Sequence, residues 1–281
     1  MFEKIIIQDD PVEDKLDFKK IELECYINPA KEIQRQPIAI SIGESQYKNE
    51  MYPIPFGSYG DFSCIVGASK SRKTFVKSMI EAGYIGGDAN KYTHIKGHNN
   101  QDKFVISFDT EQSQYHTQRV TKRVLEMVGS NYEYYKSYSL RQYDPLVRFQ
   151  FIEWVMLESE YRNNLGLVSI DGFVDLITDF NSLEQSTQLT EKLLNWTSKT
   201  KCHLTGILHK NFGTSKPVGH VGSSILKKAE TVLFVENENN LTLAKCEYSR
   251  NLPFDNFAID INKDWLPFVT EINGIKKNNW F

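Results

Sequence analysis

Four short apolar runs, separated by longer amphipathic stretches, constrain the fold of this 281-residue chain more than any other feature. The runs place apolar and β-branched residues at consecutive positions, which is typical of strands buried on both faces of a parallel sheet. Between the runs, apolar residues recur at helical spacing, as at Val120, Val124 and Val128. The runs are FSCIVG (62–67), KFVISFD (103–109), LGLVSID (165–171) and CHLTGILH (202–209). This alternation predicts an α/β fold with a mostly parallel central sheet flanked by helices.

The two ends of the chain differ from this alternating middle part. Residues 1–50 are rich in charge and contain Pro11, Pro29 and Pro37, so we expect an N-terminal arm or small cap, with a short strand at PIAISIG. After residue 230 the helical patterns stop, and three strand-like runs are expected to finish the sheet as antiparallel strands. These runs are TVLFVE, LTLAKCEY and NFAIDI. Residues 51–281 are therefore predicted to form one α/β domain.

Charge and cysteine content narrow the class of protein. The formal net charge of −3 argues against a uniformly basic nucleic-acid-binding surface, so any such contact must come from local loops or from the inner face of a ring. The four cysteines form no C-x-x-C pair, which favours reduced core residues over a metal site. The start MFEKIIIQDD does not resemble a signal peptide, and no apolar run approaches the ~20 residues that cross a bilayer. We expect a soluble, cytoplasmic protein.

The segment GASKSRKT (67–74) follows the first apolar run and nearly matches the phosphate-binding loop G-x-x-x-x-G-K-[ST]. In that loop the lysine reaches the β- and γ-phosphates of a nucleotide and the hydroxyl binds Mg²⁺, roles that fall to Lys73 and Thr74. Arg72 replaces the second glycine, and we expect a right-handed backbone there, with the guanidinium directed outward, towards phosphate or towards a neighbouring subunit. The alternative is a basic surface turn with a coincidental Lys-Thr. The predicted nucleotide-binding residues of this segment are Gly67, Ala68, Ser69, Lys70, Ser71, Arg72, Lys73 and Thr74.

Acidic residues stand at the ends of two further apolar runs, where α/β sheets place their ligands. Asp171 ends LGLVSID, and an acid there completes the nucleotide site by holding Mg²⁺ together with Thr74. Asp109 and Glu111 lie in KFVISFDTEQ, and Glu111 is placed to act as general base on the attacking water. Each acid alone is equally well explained as a helix N-cap or a solvated strand end. Their order after the segment 67–74 favours a site for ATP and Mg²⁺.

The fourth run ends in ILHKN, where His209 or Asn211 can sense a γ-phosphate because each forms hydrogen bonds without a fixed charge. A structural histidine is the equal alternative. The following segment, KNFGTSKPVGHVGSS, is expected to be a mobile loop that offers N–H groups and cations to a phosphate chain; otherwise it is an ordinary exposed turn. Further along, Lys245 and Arg250 either lie on the surface without a role or, in a ring, stabilise charge at a neighbour's γ-phosphate.

Taken together in this order, the motifs resemble those of the RecA-like, ring-forming ATPases, specifically the RepA-like replicative helicases related to DnaB, in a group found on phages and mobile elements. The matching segments lie within residues 50–260 and are GDFSCIVGASKSRKT, ISFDTEQ, SIDGFVDLITDFN, GILHKN, GHVGSSILKKAETVLFV and SRNLPFDNFAIDI. The glutamate after Asp-Thr, rather than beside Asp171, favours this class over AAA+ enzymes. Two departures are Arg72 and the lack of a large N-terminal primase-binding domain.

The resemblance implies that residues 51–281 form a RecA-like P-loop ATPase domain with a mostly parallel sheet. It implies a homo-oligomer, a hexameric ring, with ATP sites between subunits and single-stranded DNA in the central channel. The residues carried over to catalytic roles are Lys73, Glu111 and His209, with Lys245 and Arg250 matched loosely to trans-acting fingers. Thr74 and Asp171 would hold Mg²⁺. The loop 213–223 would contact DNA.

The expected function is an ATP-driven DNA helicase in the replication or mobilisation of a phage or mobile element. Its expected partners are single-stranded DNA and, as a candidate, a primase or loader, but no membrane. The expected DNA-binding residues are Lys210, Lys216, His220 and Ser223. The alternative is a nucleotide-gated DNA-binding ring or filament without unwinding activity, as in recombinase mediators, loaders and KaiC-like proteins.

Overall fold

The computed structural model of the chain describes residues 17–87, 92–99, 102–210, 218–238 and 241–270. The chain divides into two compact units, Met1–Arg35 and Gln36–Phe281. In the described part of the first unit, one helix is present, α1 (Phe18–Cys25), and all of its residues are exposed. The second unit begins at Gln36, so its first strand comes from the stretch expected as an arm or small cap.

The helices and strands of the second unit alternate along most of its length. Its strands are β1 (Ile38–Tyr47), β2 (Glu50–Ser58), β3 (Phe62–Gly67), β4 (Ile95–Gly97), β5 (Phe104–Asp109), β6 (Tyr135–Ser139), β7 (Leu165–Asp171), β8 (His203–His209), β9 (Thr231–Glu238), β10 (Leu241–Ser249), β11 (Phe257–Ile261) and β12 (Pro267–Thr270). Its helices are α2 (Lys73–Gly86), α3 (Gln114–Val128), α4 (Pro145–Leu157), α5 (Leu183–Thr200) and α6 (Gly219–Leu226). Short 3-10 helices lie at Arg162–Asn164 and Phe173–Leu176.

A nine-stranded sheet forms the centre, with the strand order β12-β11-β10-β9-β3-β8-β7-β5-β6. The strands from β9 to β6 pair in parallel, while β10, β11 and β12 pair antiparallel. The predicted α/β fold, with its mostly parallel sheet and antiparallel C-terminal end, is confirmed. The prediction for TVLFVE was wrong in one respect, because β9 runs parallel to β3. After β8 the chain crosses back through α6 to the end of the sheet where β8 starts, so β9 runs in the same direction as β8 and β3.

Two apolar cores cover the two faces of the large sheet. Successive residues of β3 alternate between them, as expected for a strand buried on both faces. Cys64 and Val66 pack in one core with Trp196 of α5, whereas Ile65 packs in the other with Met79 of α2. All five side chains are fully buried. The sheet is thus held between α4, α5 and α6 on one face and α2 and α3 on the other.

The four cysteines all lie among the described residues. All four cysteines are free thiols; Cys64 and Cys202 are buried as expected, Cys246 is only partly buried, and Cys25 is exposed on α1. In the described ranges, no helix has both the length and the apolar character needed to cross a bilayer.

A separate three-stranded sheet has the order β2-β1-β4. The strand expected at PIAISIG is present as β1, and it pairs antiparallel with β2 across a turn in which Lys48 and Asn49 have positive φ. β2 was not predicted, because Pro53 and Pro55 argue against a central strand. It lies at the edge of its sheet, where proline removes no required ladder bond.

The topology brings the carboxyl ends of the parallel strands to one edge. Gly67 pairs with His209, and Asp109 pairs with Asp171. Because β8 lies between β3 and β7, the end of β8 stands between the segment after β3 and the acids of β5 and β7. Four of the residues singled out in the sequence lie at or just beyond this edge: Lys73, Glu111, Asp171 and His209.

Candidate functional site

Residues 67–74, called the 67–74 loop below, form a tight turn between β3 and α2. A Cβ atom at Gly67 would lie 2.4 Å from the Val235 carbonyl oxygen and 2.5 Å from Ser71 Oγ, so a larger residue does not fit. Ser71 is 2% exposed, and its Oγ has no hydrogen-bond partner among the described residues. No described side chain caps α2, whose first turn has no acidic residue. An unpaired hydroxyl beside an uncapped helix N-terminus suits an anion.

The backbone at Arg72 has an unusual conformation for an arginine. Its φ of 68° and ψ of 25° are left-handed, so the expectation of a right-handed backbone was wrong. Glycine adopts this conformation without strain, whereas a side chain makes it unfavourable. The guanidinium is directed to strands of the same chain, with NH1 3.4 Å from Thr242 Oγ1 and 4.0 Å from Asp260 Oδ1. The arginine thus occupies a backbone conformation that a glycine would adopt more readily.

We expect Arg72→Gly to be more stable than Arg72→Ala by about 1 kcal/mol, because both remove the guanidinium but only glycine relieves the left-handed strain. In the wild type, the half-exposed ion pair between Arg72 and Asp260 adds at most about 1 kcal/mol to the free energy of unfolding. Urea unfolding of the two variants measures the difference. Equal stability would show that the backbone at residue 72 is not left-handed. In an ATP titration, Arg72→Gly is expected to retain nucleotide binding.

Lys73, the first residue of α2, points back into the 67–74 loop. Its Nζ donates to the Ala68 carbonyl oxygen at 2.7 Å and lies 3.2 Å from His209 Nδ1. Lys73 is 6% exposed, and this burial lowers its pKa, while the charges of Glu111 and Asp171 act in the opposite direction. The ammonium group is therefore held between the loop and the end of β8.

His209, at the end of β8, joins Lys73 to Glu111. Its Nε2 lies 2.8 Å from Glu111 Oε1. Since Lys73 can only donate, Nδ1 must accept and Nε2 carries the proton that it donates to Glu111. This hydrogen bond is the main cause that lowers the pKa of Glu111 below its ordinary value, against the effect of burial. Glu111 is thus an ionised carboxylate aligned by His209.

Thr74 and Asp171 meet on the other side of the loop. Thr74 Oγ1 donates to Asp171 Oδ2 at 3.1 Å. Burial raises the pKa of Asp171 to about 6, although Lys77 lowers it, so the group is ionised at neutral pH. Within the described ranges, no group of three or more His, Cys, Asp or Glu side chains forms a metal site. One carboxylate and one hydroxyl instead suit Mg²⁺, which keeps waters and takes its remaining ligands from phosphates.

Asp109 organises the turn that carries Glu111. Its Oδ1 accepts from the N–H groups of Glu111 at 3.1 Å and Gln112 at 2.8 Å, and its Oδ2 accepts from Thr117 Oγ1 at 3.1 Å. Asp109 is 1% exposed. Asp109 therefore has a structural role in this turn, although the N-cap residue of α3 is Ser113, whereas Glu111 and Asp171 lie in the site.

The sequence reasoning missed a buried ion pair on α2, directly below the site. Lys77 and Glu81 are 1% and 0% exposed, with Lys77 Nζ 3.4 Å from Glu81 Oε1 and 2.8 Å from Ser107 Oγ. Burial alone would lower the pKa of Lys77, but the charges of Glu81, Asp171 and Asp109 outweigh it and raise the pKa. A lysine one helical turn after Lys73 is the sequence signal that could have indicated this pair.

Lys210 and Lys245 lie near the same edge but share one carboxylate. Lys210 Nζ lies 3.1 Å from Glu236 Oε1, and Lys245 Nζ lies 3.0 Å from Glu236 Oε2. These two hydrogen bonds lower the pKa of Glu236. The backbone N–H of Lys210 also donates to the Gly67 carbonyl oxygen at 3.1 Å. Lys210 is thus tied to the 67–74 loop by its backbone and to Glu236 by its side chain.

Arg250 lies at the opposite edge of the sheet. It follows Ser249, which pairs with Thr231 at the amino end of β9. Its NH1 donates to Asp61 Oδ2 at 3.0 Å and its NH2 donates to the Lys228 carbonyl oxygen. In its own chain, Arg250 is therefore not brought to the residues around Lys73.

The structure describes only some of the residues that were expected to bind DNA. His220 and Ser223 are exposed on α6, one turn apart. The start of α6 adjoins the site, because the Val218 N–H donates to the His209 carbonyl oxygen at 2.9 Å. Lys216 and the alternative sensor Asn211 lie outside the described residues.

The site thus brings Lys73, Thr74, Glu111, Asp171 and His209 together at one edge and leaves Lys245 and Arg250 in other contacts. Compared with known proteins, the chain matches no protein-family model and no curated sequence.

Proposed function

We propose that the chain is an ATP-driven motor on single-stranded DNA, built on a RecA-like core of the RepA-like helicase type. The observation that carries this proposal is the hydrogen-bonded series Glu111–His209–Lys73, formed at the carboxyl ends of the parallel strands. A base, a neutral hydrogen-bonding group and a buried cation at the edge where α/β sheets bind ligands are what phosphoryl transfer to water requires.

Lys73 and the 67–74 loop would bind the β- and γ-phosphates. The buried ammonium group and the N-terminus of α2 both stabilise negative charge, and the interior position strengthens that effect relative to water. Charge develops on the phosphate oxygens as the bond to the leaving group breaks, so these groups favour the transition state.

Glu111 would orient and deprotonate the attacking water. A general base must be ionised before it can accept a proton, and the His209 hydrogen bond keeps Glu111 in that form. Thr74 and Asp171 would hold Mg²⁺, which when bound neutralises phosphate charge.

His209 would connect the phosphates to the DNA-contacting segment. Its imidazole touches both Lys73 and Glu111, and its carbonyl oxygen accepts the Val218 N–H at the start of α6. A change in the contacts of His209 on loss of the γ-phosphate would therefore reach His220 and Ser223. In the proposed hexameric ring these residues, with Lys210 and Lys216, contact the DNA, and Lys245 and Arg250 act on a neighbouring subunit.

The purified chain is expected to hydrolyse ATP, to do so faster with a single-stranded oligonucleotide, and to separate a forked duplex. Coupled hydrolysis and strand-displacement assays measure these activities, with a non-hydrolysable ATP analogue as the control. Light scattering with and without ATP and oligonucleotide is expected to show a hexamer. Hydrolysis without strand separation would favour the nucleotide-gated ring or filament, and failure to bind or hydrolyse ATP would rule out the motor.

A further inference from the structure

Asp175 lies beside the site and takes part in a contact that no motif indicated. Thr110, the residue between Asp109 and Glu111, places its Oγ1 2.6 Å from the Asp171 carbonyl oxygen and 2.7 Å from Asp175 Oδ2. The Thr110 N–H also donates to the Asp171 carbonyl oxygen, at 3.0 Å. The turn that carries Glu111 is therefore attached to the end of β7 through Thr110, and Asp175 holds the hydroxyl of that residue.

The protons in this contact can be counted. The Thr110 hydroxyl has one proton, and the carbonyl oxygen of Asp171 can only accept it. If Thr110 donates that proton to the Asp171 carbonyl oxygen, the 2.7 Å contact with Asp175 needs a second proton. The carboxyl group of Asp175 must then carry it and donate it to Thr110 Oγ1. If the Thr110 proton goes to Asp175 instead, two acceptor oxygens face each other at 2.6 Å without a proton between them. Only a neutral Asp175 satisfies both contacts.

The position of Glu111 also favours a neutral Asp175. A Cβ atom at Gly172 would lie 2.7 Å from Asp175 Oδ2 and 3.4 Å from Glu111 Oε1, so the two carboxyl groups converge on this glycine. Two ionised carboxylates at such a place repel each other, which favours a proton on one of them. Glu111 has His209 to stabilise its charge, at 2.8 Å. The proton therefore belongs on Asp175.

The charged groups around Asp175 are consistent with this assignment. Burial raises the pKa of Asp175, and the charge of Glu111 adds to that effect. A hydrogen bond donated by Thr110 and the charge of Arg148 would lower the pKa of Asp175, but they do not reverse the effect of burial. The guanidinium of Arg148 is itself engaged with backbone carbonyl oxygens, including that of Asp175 at 3.3 Å.

We propose that Asp175 is a positioning residue for Glu111: as a neutral carboxylic acid it holds Thr110, and through it the Glu111 turn, without adding a second negative charge beside the base. The inference rests on the proposed ATP hydrolysis, because only in that reaction does Glu111 act as a base. It assigns to Asp175 no contact with the nucleotide or with Mg²⁺.

Four variants separate charge from hydrogen bonding: Asp175→Asn, Asp175→Ala, Thr110→Ser and Thr110→Val. Asp175→Asn keeps a neutral donor and Thr110→Ser keeps the hydroxyl, so both variants are expected to retain kcat within about 3-fold. Asp175→Ala and Thr110→Val are expected to lower kcat by about 10- to 100-fold, because Glu111 is then misplaced. Binding of a fluorescent ATP analogue is expected to change by less than about 3-fold in all four, because they act on the attacking water. Asp179→Asn, an exposed acid farther along the chain, is the matched control and should change none of these values.

Hydrogen exchange provides a readout that needs no turnover. The backbone N–H groups of Thr110, Glu111 and Gln112 are expected to exchange at least about 10-fold faster in Asp175→Ala and Thr110→Val, and at the wild-type rate in Asp175→Asn. Equal loss of kcat in Asp175→Asn and Asp175→Ala would show that the charge is required and overturn the inference. Unchanged exchange and unchanged kcat in Asp175→Ala would also overturn it. A wild-type chain without ATP turnover would refute the proposed function, while the exchange rates would still decide the positioning role.

Discussion

A Lys73→Ala variant is expected to lose ATP turnover by at least about 100-fold, since removing one group that stabilises transition-state charge has an effect of this size. The variant also removes the cation that lies 2.7 Å from the Ala68 carbonyl oxygen and 3.2 Å from His209 Nδ1. We therefore expect weaker nucleotide binding as well as slower hydrolysis. Steady-state ATP hydrolysis and titration with a fluorescent ATP analogue measure the two effects separately.

Two comparison variants sharpen this result. Glu111→Gln keeps the shape of the base but removes its charge, and it is expected to retain nucleotide binding while losing roughly 10²- to 10⁴-fold in kcat. Lys192→Ala removes a lysine of α5 that pairs with Glu153 at 2.9 Å, and turnover should not change. Wild-type turnover in Lys73→Ala, with an intact fold by circular dichroism, would refute the assignment of the 67–74 loop to ATP.

Lys77→Met is expected to lower the free energy of unfolding by about 3–5 kcal/mol, because it leaves the charge of Glu81 buried without its cation. Glu81 is 0% exposed and would keep only the hydrogen bonds from Ser169 at 2.5 Å and Tyr135 at 2.7 Å. Urea unfolding measures the loss.

The double variant Lys77→Met/Glu81→Gln is expected to recover much of this stability, because neither member of the pair then carries a buried charge and the glutamine side chain can still accept one of these hydrogen bonds. Lys192→Met breaks a half-exposed pair with Glu153 and is the matched control, with an expected loss of no more than about 1 kcal/mol. A Lys77→Met loss as small as that of the control would show that Lys77 and Glu81 do not form a buried pair.

The parallel part of the fold was accessible from the sequence because strands buried on both faces leave a continuous apolar run. β3, β5, β7 and β8 each have this pattern and lie within a residue of their predicted bounds. β6 was not predicted, because an edge strand has one solvated side and its sequence YKSYS is largely polar. The direction of β9 could not be read from composition either, since direction depends on the path of the chain between strands.

From the sequence, the only residues of the candidate site that could be predicted are those at or just after the ends of strands. Lys73, Glu111 and Asp171 follow from position along the chain, because the carboxyl ends of parallel strands meet at one edge. The role of Asp175 depends on the path of the chain after β7, which folds it back against Thr110. Sequence spacing does not encode that path.

The position of β3 in the sheet has a consequence for synthesis of the protein. β3 is translated well before both strands that pair with it, β8 and β9. Until they emerge from the ribosome, an apolar strand and the 67–74 loop have no sheet partners. Pairings between distant segments form slowly and leave apolar surface exposed to aggregation in the meantime. The nascent chain should therefore depend on chaperones longer than a protein whose neighbouring strands are consecutive, and a ribosome that stops before residue 203 releases a fragment unable to build the site.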